Sequence, residues 1–211
     1  MPGGYNHRTL DLAATFGHID IYLFDQILRG RLPPATRVLE AGCGGGRNIH
    51  YLMQAGYDVS AVDEDPRAID AVRRLAAALA PALPATHFRV EAIEALSFPA
   101  ASADVVLSIA VLHFARDDAH FEAMLGSMWR VLKPGGLLFC RLASSIGMET
   151  RMQRRAGRRH LLPDGSERYL VDEALLLEWT RRLGGSLLDP IKTTVVQDQR
   201  CMTTWVVGKN R

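Results

Sequence analysis

The sequence predicts an α/β fold: a mostly parallel sheet with helices on both faces. Three observations carry this. Apolar strand-like runs alternate with helix-like runs along most of the chain. A glycine cluster stands between the first strand and the helix after it. The last two strands are joined by too few residues for a parallel crossover, so they must form a hairpin, leaving one antiparallel strand near the sheet edge.

The elements follow in order. Leu12, Phe16, Ile19, Leu23, Ile27 and Leu28 have helical spacing, which predicts a helix over 10–28 closed by Gly30 and Pro33-Pro34. Arg37–Ala41 reads as a short buried strand, and Asn48–Ala55 as a helix stopped by Gly56. Asp58–Val62 is the second strand. Asp65 caps the next helix, with Pro66 in its first turn, and the helix runs to about Ala80. Thr86–Val90 and Ala103–Ile109 are strands three and four. Asp117-Asp118 opens a helix through Phe121, Met124, Leu125 and Met128. Lys133–Gly136 is a turn and Leu137–Leu142 the fifth strand. Ala143–Leu170 shows neither period and is rich in arginine. Asp172–Leu183 is a helix on which Leu175, Leu176 and Trp179 form an apolar face. Leu187–Val196 and Cys201–Val207 are the final strands.

At 211 residues, 48% apolar and 23% charged, the chain has the make-up of a globular domain, which excludes disorder for its bulk. A net charge of +2 gives no global attraction to nucleic acid or an anionic membrane. No run approaches the roughly 18 apolar residues of a membrane span. The three cysteines, Cys43, Cys140 and Cys201, are widely spaced, with no metal-ligand pattern, and suggest a reducing, cytoplasmic setting. No metal site is expected. The expected layout is a single domain: a helical cap over 1–32, a core over 33–142, a flap over 143–170, and a C-terminal helix and β-hairpin over 171–211.

The sharpest signal is Val38–Asn48, where a strand runs into Gly42, Gly44, Gly45 and Gly46 and then into a helix. Such a loop lets a ligand lie against main chain outside the carboxyl ends of the strands. A dinucleotide fingerprint needs a third glycine where Arg47 stands, and the lysine of a phosphate loop is absent. The pattern is instead Glu40-x-Gly42-x-Gly44-x-Gly46. A carboxylate at Glu40 would repel pyrophosphate but suits an ammonium group. Asp63 ends the second strand about 20 residues after the first glycine, where an acid can accept ribose hydroxyls.

Taken together, Val38–Asn48, Ala61-Val62-Asp63, Leu96–Pro99, Ala103–His113 and Leu132–Gly136 resemble the class I S-adenosylmethionine-dependent methyltransferases. Gly46-Arg47-Asn48 with Gly56–Val59 is similar to the tellurite-resistance type within them. The resemblance implies a Rossmann-like, seven-stranded sheet with the seventh strand antiparallel, and S-adenosylmethionine as cofactor with S-adenosylhomocysteine as product. It implies that Glu40 faces the methionine amino group, that Gly42, Gly44 and Gly46 floor the methionine and ribose, and that Asp63 takes the ribose hydroxyls with Glu64 beside the adenine. Many relatives place an acid on the adenine amino group where this chain has Ala92. Glu91, Glu94 or backbone would substitute, with Ile93 packing on the adenine face. Ala110 would offer its carbonyl to the methionine ammonium.

The implied activity is methyl transfer to a small-molecule acceptor by in-line displacement; the alternative is a cofactor-binding protein or partner subunit without catalysis. His113 is the candidate for substrate contact or general base. Tyr5, His7, Phe114 and His160 are candidate substrate contacts. The flap arginines Arg151, Arg154, Arg155, Arg158, Arg159 and Arg168, with Arg141 before them, suggest an anionic acceptor. No nucleic-acid or membrane partner is expected, and the chain is expected as a monomer or homodimer.

Overall fold

The structure, a computed structural model, describes residues 11–211. It begins with two short helices, α1 (Leu12–Phe16) and α2 (Ile21–Leu28), where the sequence pattern predicts one. Gly17, with φ of 58°, turns the chain out of α1, and Asp20 caps α2 by accepting from the Tyr22 and Leu23 amides. Only α2 turns a buried side to the core; α1 buries no residue, Leu12 is exposed, and Phe16 packs against Phe24 and Tyr51.

The central units follow: β1 (Arg37–Ala41), α3 (His50–Gln54), β2 (Asp58–Asp63), α4 (Pro66–Leu79), β3 (Phe88–Val90), β4 (Ala103–Ile109), α5 (Asp118–Val131) and β5 (Leu132–Ala143). The 143–170 segment, expected to be irregular, forms a small antiparallel sheet of β6 (Gln153–Ala156), β7 (Arg159–Leu161) and β8 (Glu167–Tyr169). Its strands are short and mostly exposed or half-buried, so no core imposes an alternating pattern. Then come α6 (Glu173–Arg182), β9 (Gly185–Leu187), β10 (Lys192–Val196) and β11 (Arg200–Lys209). The predicted strand over 187–196 is thus two pieces. Pro190 stands in the gap, and both pieces pair antiparallel with β11.

The main sheet has the order β10-β11-β5-β4-β1-β2-β3, with β9 also on β11. β1 pairs parallel with β2 and β4, β2 with β3, and β4 with β5; β11 runs antiparallel to β5. Taking β9 and β10 as one broken strand, this is the Rossmann-like arrangement expected. Apolar clusters fill both faces. Phe121, Met128, Trp179 and Trp205 lie on one side, and Leu23, Ile49, Ile69 and Val72 on the other. Chain order reverses between β1 and β4. There the helices following neighbouring strands go to opposite faces, leaving a crevice beyond the strand ends.

The flap leaves and rejoins the core at one place. The Val171 amide donates to the Ala143 carbonyl at 3.3 Å, and Ser144 and Val171 form a bridge. It is anchored at its base: Tyr169, 1% exposed, stacks on Phe121 at 5.0 Å and donates to Asp118 at 2.8 Å.

Candidate active site

A cleft of about 690 Å³ opens at the crevice, beyond the carboxyl ends of β1, β2, β3 and β4. Its floor is the glycine loop. Gly42 has φ of 80°, and a Cβ there would lie 2.5 Å from Val111 Cγ2, so both conformation and space demand glycine. Gly44 and Gly45 have no heavy atom within 4 Å of where a Cβ would stand, so the main chain is open toward the cleft.

Asp63 lines the cleft at the end of β2. Its Oδ2 accepts the Gly44 amide at 2.8 Å and its Oδ1 the Asp65 amide at 3.0 Å. The carboxylate therefore sets the shape of the loop, and each oxygen keeps a lone pair for a ligand hydroxyl. Glu64 lines the cleft beside it.

Glu40 lies beneath the loop, 1% exposed. Its Oε1 accepts from Asn48 Nδ2 at 2.8 Å, while Oε2 is buried with no partner. Burial pushes the carboxyl up to about 8, against the Asn48 hydrogen bond. A buried acceptor without a donor is costly unless it is protonated or meets a ligand N–H. The Asn48 Oδ1 accepts the Asp20 amide at 3.1 Å, and Asp20 Oδ2 accepts from Arg141 Nη1 at 2.6 Å. One polar chain therefore joins β1, the glycine-loop helix, the cap and β5.

Ala92 and Ile93 line the cleft after β3, and Ala110 lines it after β4 with φ of 62°. A left-handed alanine is strained and marks the point where the main chain turns out of the sheet. Of the two acids proposed to stand in at the Ala92 position, Glu91 is engaged by Ser97 through both its amide and its hydroxyl. Glu94 instead faces His120, whose Nε2 is 3.2 Å from Glu94 Oε1. Burial raises the Glu94 pKa, but its own amide, His120 and Arg116 together hold it below the ordinary range. Arg116, His120 and Met124 all line the cleft and were missed from the sequence. His120 and Met124, four apart on α5, share one helix face, which is the signal that could have found them; Arg116 precedes the helix cap and carries no such signal.

His113 does not line the cleft. It is buried on the turn after β4, and its Nδ1 accepts the Ala143 amide at 3.2 Å. That places its proton on Nε2. Burial first, then Arg168 and Arg200, lower its pKa to about 4. The expected general base is thus a neutral donor whose basic nitrogen is occupied. Phe114 does line the cleft, 54% exposed, with the Arg168 guanidinium 4.8 Å over its ring. His160 is not brought to the cleft; it sits on β7 with Nδ1 3.0 Å from the Arg158 carbonyl. Tyr5 and His7 lie outside the described residues.

Three of the six flap arginines have carboxylate partners: Arg151 with Asp198, Arg158 with Asp172, and Arg159 with Glu167. Among the described residues no three His, Cys, Asp or Glu side chains gather so as to hold a metal ion, and no helix is long and apolar enough to cross a membrane.

Comparison with known proteins gives these features a context. Residues 39–140 match the family model described as a methyltransferase domain. A ubiquinone biosynthesis O-methyltransferase of Methylocella silvestris is 39% identical over 103 residues, which are 49% of this chain and 38% of that protein. The match thus spans less than half the length of that relative. A methyltransferase structure from Methanosarcina mazei superposes with a TM-score of 0.72 at 20% identity, covering 87% of this chain and 97% of that one. The 1,6-didemethyltoxoflavin-N1-methyltransferase of Burkholderia thailandensis, solved with 1,6-didemethyltoxoflavin and S-adenosylhomocysteine, gives 0.70 at 20% identity over 95% of this chain and 82% of that one. At such identities the two structures speak for the fold.

Proposed function

We propose that this chain, which carries a methyltransferase-family domain, is an S-adenosylmethionine-dependent methyltransferase acting on a small-molecule acceptor. The observation that carries the reading is the buried, unpartnered Glu40 Oε2 beneath the glycine loop. An oxygen in that place calls for a donor. A ligand bearing an ammonium group supplies one, whereas a pyrophosphate would add a second acceptor.

The residues present fit the cofactor. Gly44 and Gly45 leave room for it against the main chain, Asp63 offers lone pairs to ribose hydroxyls, and Ala110 offers its carbonyl. Ile93 and Met124 give apolar walls, with Glu64, Glu94 and His120 as polar edges. Ala92 removes the acid many relatives use, and the Glu94–His120 pair is the polar group this chain has nearby. When bound, S-adenosylmethionine supplies a methyl group already activated by its sulfonium.

The protein's task is then to align the acceptor and exclude water. Neither nearby histidine offers a free basic nitrogen. His113 Nδ1 is held by the Ala143 amide, and His120 Nδ1 accepts the Arg116 amide at 3.1 Å. This favours acceptors that need no base, such as a thiolate, a soft chalcogen anion or a phenolate. Gly46–Asn48 and Gly56–Val59 are the support for the tellurite-resistance subgroup. The three cysteines are free and buried, which favours a reducing compartment such as the cytoplasm.

Calorimetry in chelator tests the reading. S-adenosylmethionine and S-adenosylhomocysteine should bind without added metal, and NAD should not. Tight NAD binding, or a metal requirement for the sulfonium compound, would sink it. Screening acceptors for S-adenosylhomocysteine release then identifies the substrate.

A further inference from the structure

Beside the cleft, four separate segments meet around His113. The one-turn helix Leu112–Phe114 follows β4, and flap strand β8 packs against it. Arg168, on β8, lays its guanidinium over Phe114 while one Nη donates to the Glu167 carbonyl at 2.9 Å. Arg200 opens β11. Because β11 runs antiparallel to β5, its first residues lie at the carboxyl end of β5, and the Ser144 amide donates to the Cys201 carbonyl at 3.2 Å. The flap turn contributes Asp164. Both guanidiniums act electrostatically on His113 and on Asp164, so the four groups share one neighbourhood.

The charges there do not cancel. Among the described residues Arg168 and Arg200 have no carboxylate within 4.0 Å, unlike Arg151, Arg158 and Arg159. Glu167, next to Arg168, is taken by Arg159 at 2.7 Å. The Asp164 Oδ1 is held by the Ser166 amide and hydroxyl at 2.9 and 2.6 Å. His113 is neutral, and its Nδ1 is occupied. Two guanidiniums therefore act on one carboxylate that its own turn engages. Arg168 lies over an exposed aromatic ring, Phe114, that lines the cleft.

We propose that the methyl acceptor is an apolar organic anion: its carboxylate or phosphate is held by Arg168 and Arg200, and its apolar body lies on Phe114. This rests on the methyltransferase reading and adds the substrate class. Guanidinium groups suit planar, charge-assisted contacts to such oxygens. A ring at the cleft edge under Arg168 selects an acid with an adjoining apolar part over a free inorganic anion.

The test uses the protein saturated with S-adenosylhomocysteine, titrated with benzoate, phenyl phosphate and neutral methyl benzoate. Calorimetry and the imidazole resonances of His113 are the readouts. An acid should bind at millimolar concentration and raise the His113 pKa by offsetting the two arginines, while the ester should do neither. Which acid binds more tightly distinguishes a carboxylate from a phosphate acceptor. Arg168→Gln and Arg200→Gln should each weaken acid binding by roughly tenfold. Arg155→Gln, on the exposed β6, should leave it unchanged.

S-adenosylhomocysteine affinity and the circular dichroism of each variant check that the fold is intact. Three results would each overturn the proposal: equal binding of acid and ester, acid binding untouched by both substitutions, or no saturable binding of either acid. Failure of wild-type protein to bind S-adenosylhomocysteine is a separate result that strikes the methyltransferase reading instead.

Discussion

Asp20 and Arg141, 121 residues apart in the chain, are joined at 2.6 Å between Oδ2 and Nη1, with the Asp20 side chain only 2% exposed. The same aspartate caps α2 through its other oxygen, and its amide is held by Asn48, which holds Glu40. The cap is thereby wired to the floor beneath the glycine loop. Asp20→Ala strands a partly buried guanidinium and removes the cap, so it should cost about 3–5 kcal/mol of stability. Pairing it with Arg141→Met removes both charges, and the double variant should lose less than the sum of the singles. Urea unfolding of all four proteins measures this, and simple additivity would show that the pair is idle.

Asp63→Ala should weaken S-adenosylhomocysteine binding by about 1.5–3 kcal/mol for each charged hydrogen bond lost. From sequence alone the fold would be expected to tolerate this change. The structure alters that expectation, because the Gly44 and Asp65 amides lose their acceptor. A stability loss of about 1–3 kcal/mol should accompany the affinity loss. Calorimetry and thermal unfolding separate the two, and an unchanged affinity would reduce Asp63 to a turn residue.

Glu40 should exchange a proton on cofactor binding. Its pKa in the free protein is about 8 against an ordinary 4.5, so at pH 7 it is mostly protonated. An ammonium group brought to its orphaned oxygen favours the charged form. Binding should therefore release a proton, and affinity should rise with pH toward about 8. Calorimetry in buffers of different ionisation enthalpy reads this directly, and Glu40→Gln should abolish it. In the free protein the folded state binds the extra proton, so Glu40 makes stability fall as pH rises from 4.5 to about 8.

His113 works in the opposite direction. Its folded pKa of about 4 lies below the ordinary 6.5, so the unfolded chain binds more protons between those values. Stability should drop as pH falls through that window, and His113→Gln should flatten the drop. Denaturation midpoints of both proteins at pH 7 and pH 4.5 are the comparison. Parallel curves would mean that His113 titrates normally.

What was legible in the sequence is what is local. The strand–glycine–helix run through Gly42–Gly46 and the acid at 63 show in the chain because neighbours build them. The paired strands at the C-terminus follow from a link too short for a crossover. The break at Gly17 was hidden because apolar spacing continues across it. The β6–β8 sheet was hidden because strands this short, with little buried beyond Tyr169, carry no alternation. Asp20–Arg141 and Glu94–His120 were missed because each joins segments distant in sequence, and no single stretch carries the signal.

The flap departs at Ala143 and returns at Val171, two residues that touch. Its two ends are thus joined directly, beside the anchors that Tyr169 and Arg159 add from within. Exchanging the loop between these ends should therefore leave the register of the main sheet unchanged. If the proposed methyl transfer holds, grafting a different insertion at this joint, while keeping β5 and α6 intact, should change acceptor preference and leave S-adenosylhomocysteine affinity unaltered.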